Sequence, residues 1–167
     1  MNEQIIEDFK SIAPYSDEQV LASLKWLETN EEFISGIQFF YPKWSKKEIV
    51  SKLKECKSCS DFQVIFIRDI INQSIDKTMT SFQIKGLKEL KKPNNLFISN
   101  HRDIFLDSAL LQNRLWEMDK PFTEISLGDN LIVNDTMKAV AKLNSMFTVL
   151  RTGIKSEILS NVKNLSN

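Results

Sequence analysis

The feature that most restricts how this chain can fold is a change of hydrophobic period near residue 81. Before it, apolar side chains recur three and four apart, the spacing that gathers them on one face of a helix. Ile5, Ile6, Phe9 and Ile12 form one such face, and Pro14 interrupts it. Ser16-Asp17-Glu18-Gln19 then offers a capping signal for a helix carrying Val20, Leu21, Leu24 and Leu27. Phe33, Ile34, Ile37 and Phe40 continue the pattern to Pro42, and Ser45 can cap a helix holding Ile49, Val50 and Leu53. A further helix is expected from about Asp61 to Asp76.

Beyond Ser81 the pattern changes to short strand-like runs alternating with helical ones. SFQIKGL alternates like a half-buried strand, KKPNN is a turn, and LFIS is a short apolar run suited to a strand buried on both faces. A helix is expected from about Asp103 to Met118, then a strand in FTEISLGD, a helix from Leu131 to Leu143, a strand in MFTVLRT, and a last helix from Lys155. Such alternation predicts an α/β class: a partial parallel or mixed sheet with flanking helices, preceded by an all-helical region. The expected division is residues 1–80 helical and 81–167 α/β.

Composition restricts function. The 22 basic and 22 acidic side chains cancel, so the global positive field that draws a protein to nucleic acid is missing. The N-terminal MNEQIIEDFK is acidic and amphipathic, unlike a secretory leader, and no run of about eighteen apolar residues suggests a membrane span. The expected location is cytoplasmic, with at most a peripheral position at the inner membrane surface. Cys56-Lys57-Ser58-Cys59 has the C-x-x-C spacing of a redox pair or half a zinc site, but it follows a lysine-rich helical stretch and has no second pair. Two reduced thiols at a helix end is the simpler reading.

The remaining chemistry collects where strands end. In parallel α/β layers the loops leaving the carboxyl ends of strands share one edge, and sites form there. His101, the only histidine, follows LFIS; Gly128-Asp129 follows the next strand; Arg151 closes the third. A histidine held by a carboxylate is a general base suited to deprotonating an alcohol. Asp103 and Asp107 are both near, four residues apart, and share a face if helical. Asp103 reads as the helix N-cap, leaving Asp107 as the acid with less structural purpose.

These blocks resemble the glycerolipid acyltransferase superfamily, the lysophosphatidate and glycerol-3-phosphate acyltransferases. SFQIKGLKELKKPNNLFISNHRDIFLD looks like its opening: a strand with a glycine, an exposed turn, a buried strand ending in Asn-His, and an Asp shortly after. FTEISLGDN and SMFTVLRTG look like its second block, where a strand-end arginine lies near the acceptor's polar head. The likeness covers residues 81 to about 155 and is greatest to a bacterial branch. It implies an acyltransferase that needs no metal or cofactor and uses acyl-CoA or acyl carrier protein as donor and a polar lipid as acceptor, with peripheral membrane contact.

By that resemblance His101 would be the catalytic base and Asp107 its orienting acid, while Arg102, Arg151 and Gly128 would serve substrate binding. Arg151 could equally pair with Glu124 or Asp129. The local basic cluster Lys85, Lys88, Lys91, Lys92 and Arg102 could meet an acidic carrier or an anionic lipid surface, or be a solvated face. Two departures stand out. The family separates His and Asp by four residues, whereas five lie between His101 and Asp107 and one between His101 and Asp103. The family's third block, a strand ending in a Phe-Pro-Glu-Gly-like sequence, does not occur before Asn167, so a fragment, a truncated product or a degenerate copy is expected.

Overall fold

The computed structural model describes residues 12–90, 95–100, 103 and 106–151. The expected first helix around Ile5 to Phe9, the last helix from Lys155, most of the KKPNN turn, His101 and Arg102 lie outside the described residues. Those described are mostly helical, with one small two-stranded parallel sheet. The chain divides into two compact units, Met1–Phe66 with Glu124–Asn167, and Ile67–Thr123. Residue 80, where the sequence pattern changes, falls inside the second.

In the first unit, helix starts are fixed by short polar side chains. α1 (Asp17–Leu27) opens on a capping box in which Ser16 accepts from the Gln19 N–H and the Gln19 side chain accepts from the Ser16 N–H. α2 (Glu31–Phe40) is capped by Asn30, whose Oδ1 accepts from the Phe33 N–H at 2.8 Å. α3 (Lys46–Glu55) repeats the capping box with Ser45 and Glu48, and those bonds hold the Glu48 carboxyl below its usual range. The stripe Val20, Leu24, Leu27 is buried as the period requires, whereas Leu21 is not.

Between these helices lies an aromatic core. Phe33, Phe62 and Phe66 form a triangle with ring centroids 5.2–6.1 Å apart, and Trp44 meets Phe66 edge-on. The Tyr41 hydroxyl donates to the Phe66 carbonyl at 3.1 Å. That carbonyl lies in a π-helical segment, Gln63–Ile67, which follows the short α4 (Cys59–Phe62). Arg68–Thr78 continues as α5, so the helix expected over 61–76 is real but interrupted.

The same unit holds the sheet. β1 (Ile125–Gly128) and β2 (Met146–Val149) pair in parallel with Ile125 opposite Met146 and Gly128 opposite Val149. They are joined through α7 (Asp135–Leu143), a crossover of the length that parallel pairing demands. α7 packs on α1 and β2. It begins later than Leu131 because Asn134 caps it, accepting from the Met137 N–H at 2.8 Å.

The second unit pairs α5 with α6 (Leu106–Glu117), tied by an Asn113–Asn72 side-chain hydrogen bond of 2.9 Å and by the Arg68 guanidinium lying 3.1 Å over the Trp116 ring. Here two expectations fail. Neither SFQIKGL nor the described LFIS run is a strand, and Asn95–Asn100 is exposed throughout, with Leu96 at 86% and Ile98 at 87%. The physical reason is the absence of a partner: this unit contains no strand among the described residues, and an apolar run becomes a buried strand only against a sheet that receives it. Gly86 adopts φ 87°, a left-handed conformation that glycine takes at no steric cost, and leads into the short 3₁₀ turn Leu87–Glu89.

Candidate functional site

Parallel pairing brings the carboxyl ends of β1 and β2 to one edge, and three of the sequence-predicted residues meet there. The Asp129 carboxylate accepts from the backbone N–H of Arg151 at 2.8 Å. Gly128 is buried in an ordinary extended conformation, φ −66° and ψ 136°, so its lack of a side chain is required by space and not by backbone strain. A Cβ at that position would lie 2.5 Å from Asn130 Oδ1, 3.0 Å from Arg151 Cδ and 3.1 Å from Arg151 Nε. The Arg151 side chain therefore crosses directly over Gly128, and the residue is exposed. An exposed guanidinium at a strand end is suited to a phosphate or carboxylate, because its donors match two oxygens at once.

Asp103 and Asp107 lie in the other unit and are joined to each other. Asp103 Oδ1 accepts from the Leu106 N–H at 2.7 Å, which is N-cap geometry, as its position predicted. Asp107 Oδ2 reaches back to accept from the Asp103 backbone N–H at 3.0 Å. Asp107 thus has a structural purpose that the sequence concealed. Lys85 and Lys88 of the basic cluster are exposed, while Lys91 and Lys92, like His101 and Arg102, lie outside the described residues.

The cysteines are placed as inert thiols. Cys56 caps the end of α3 and donates to the Lys52 carbonyl; Cys59 donates to the Lys142 carbonyl. Burial, reinforced by the nearby Asp61 and Glu55 charges, pushes the Cys56 thiol up to about 12, and burial also raises Cys59. Both are unbridged. Among the described residues no group of three or more His, Cys, Asp or Glu side chains is placed to hold a metal, and no helix is long and apolar enough to cross a membrane.

A buried polar cluster in the first unit escaped the sequence reading. Gln63 donates to both the carbonyl and the side-chain oxygen of Asn144, at 3.1 and 3.0 Å. Beside Asn144 in sequence, Lys142 is 3% exposed, and its ammonium donates to the carbonyls of Ile12 and Ala13, each at 2.8 Å. Burial and the like charge of Lys138 lower the Lys142 pKa to about 8. Period alone could not reveal these residues, since a lysine in DTMKAVAKL reads as part of a solvated face. No protein-family model, curated protein or solved structure matches the chain.

Proposed function

We propose that this chain is an acyltransferase that moves a fatty acyl group from an acyl thioester, carried by coenzyme A or acyl carrier protein, to a hydroxyl of a glycerophosphate or related polar lipid. His101 removes the hydroxyl proton, the oxygen attacks the thioester carbonyl, and the departing thiolate takes the proton from the imidazolium. By the resemblance Asp107 orients His101 and Arg102 serves substrate binding, while Arg151, for whose side chain Gly128 leaves room, is the residue that binds the anionic head group. The observation that carries this reading is the Gly128–Asp129–Arg151 edge, where an exposed arginine lies over a buried glycine at the carboxyl ends of two parallel strands.

The test is acyl transfer to glycerol 3-phosphate and lysophosphatidate from both donors. His101→Ala should abolish turnover, and equal rates would remove the assigned base. Gly128→Ala should displace Arg151 and raise the acceptor KM about tenfold while stability stays within about 1 kcal/mol, because the backbone there suits any residue and the atoms a Cβ would meet belong to the side chains of exposed Asn130 and Arg151, which can swing away. A second reading, an acyltransferase-like module that binds lipid or a partner without catalysis, is favoured by the exposure of Leu96 and Ile98 in the segment that precedes His101 in sequence. It predicts vesicle or carrier-protein binding with no turnover.

A further inference from the structure

The C-terminal end of α2 carries an apolar surface that the fold leaves uncovered. Phe39 is 80% exposed and Phe40 45%, and their rings meet edge-on with centroids 5.2 Å apart. One turn earlier, a Cβ built at Gly36 would find nothing within 4 Å, so the helix face stays open toward its start. Exposing two adjacent phenyl rings forgoes burial that a soluble helix ordinarily secures.

The turn that follows is rigid and basic. Tyr41 and Trp44 stack at 4.0 Å, the Trp44 N–H donates to the Tyr41 carbonyl, and Gln38 donates to the Trp44 carbonyl. Residues 33–47 contain Lys43, Lys46 and Lys47 and no acid. The acids that flank this stretch make local bonds, Glu31 with Lys46, Glu32 with Asn134 and Glu48 in the Ser45 capping box, and of the three Glu31 is matched by a lysine. Lys43 and Lys47 are exposed.

From this we infer that the end of α2 and its following turn form a docking surface for an anionic lipid bilayer, with Phe39 and Phe40 entering the interface and Lys43 and Lys47 meeting the head groups. Paired rings that project from the surface suit a deformable apolar layer, and the exposed ammonium groups of Lys43 and Lys47, which follow the rings in sequence, complement lipid phosphates. This surface does not depend on the acyl-transfer reading and would serve a non-catalytic lipid binder equally.

The experiment is co-sedimentation of the full chain with phosphatidylcholine vesicles, with and without phosphatidylglycerol. Binding should require the anionic lipid and weaken with added salt. F39S/F40S should lower affinity at least about tenfold. K43E/K47E should lower it by more than the roughly fivefold per lysine expected for simple charge removal. Because all four side chains are exposed, circular dichroism should show both variants folded as the parent. Absence of vesicle binding, or binding unchanged in F39S/F40S, would overturn the inference. So would self-association in the absence of lipid that F39S/F40S abolishes, or retention of an acidic carrier protein in place of vesicles.

Discussion

Replacing Asp107 separates its two possible duties. Its carboxylate accepts the Asp103 backbone N–H at 3.0 Å, and Asp103 in turn accepts the Leu106 N–H at 2.7 Å, so the two acids hold the start of α6 reciprocally. Asp107→Ala removes one hydrogen bond to a charged acceptor at a solvent-exposed position, worth about 0.5–1.5 kcal/mol. It also removes an acid from the positive end of a helix, about 0.3–1 kcal/mol more. The expected loss is therefore about 1–2 kcal/mol, read as a lower urea midpoint and as faster hydrogen exchange at the Asp103 amide. Asp107→Asn keeps an oxygen acceptor and loses only the charge, so it should cost about 0.3–1 kcal/mol. If Asp107 orients His101, the Asn variant should nonetheless lose at least about a hundredfold in acyl transfer, because an amide cannot stabilise the imidazolium. Unchanged Asp103 exchange in Asp107→Ala would refute the capping role. Full transfer activity in Asp107→Asn would refute the orienting one.

Other expectations concern the first unit. Phe66→Ala should cost about 3–5 kcal/mol, since the ring is wholly buried against Phe33, Phe62 and Trp44; Phe39→Ala should cost under about 1 kcal/mol, and equal urea midpoints would refute the assigned core. Lys142, lowered to about 8, sheds its proton in the folded state while the unfolded chain keeps it up to the ordinary value of 10.5. Stability should therefore rise with pH between about 8 and 10.5, and Lys142→Met should lack the rise; a flat parent profile from pH 7 to 10 would contradict it. Cys56, raised to about 12, should react with thiol reagents at pH 8 on the order of a thousandfold more slowly than a free thiol, and recover in urea. Prompt labelling of the folded chain would refute its assignment as inert.

Local chemistry made much of the helical architecture readable. Ser16 and Ser45 sit before apolar-periodic runs with Gln19 and Glu48 three residues on, and a capping box needs nothing beyond those four positions. The strands in FTEISLGD and MFTVLRT, and the helix between them, could be read because a βαβ crossover is itself a short-range pattern. The grouping of Gly128, Asp129 and Arg151 followed from that order. LFIS was misread for the opposite reason. Leu96, Phe97 and Ile98 have the composition of a buried strand, but burial is conferred by a neighbouring strand, and their own unit offers none among the described residues.

By itself, then, the sequence determined the starts of α1 and α3, most of the apolar faces of α1 to α3, and the parallel pair with its arginine-bearing edge, because each depends on residues a few positions apart. Only the tertiary structure decided that Gln63 grips Asn144, that Lys142 is buried on two backbone carbonyls, that Asp107 serves Asp103, and that Phe39 is left in solvent while Phe33 is not. Except for the Asp pair, these outcomes turn on which groups the fold brings together across long stretches of chain. A polar side chain is stable inside when a partner arrives from elsewhere, and an apolar one is covered only when another surface reaches it.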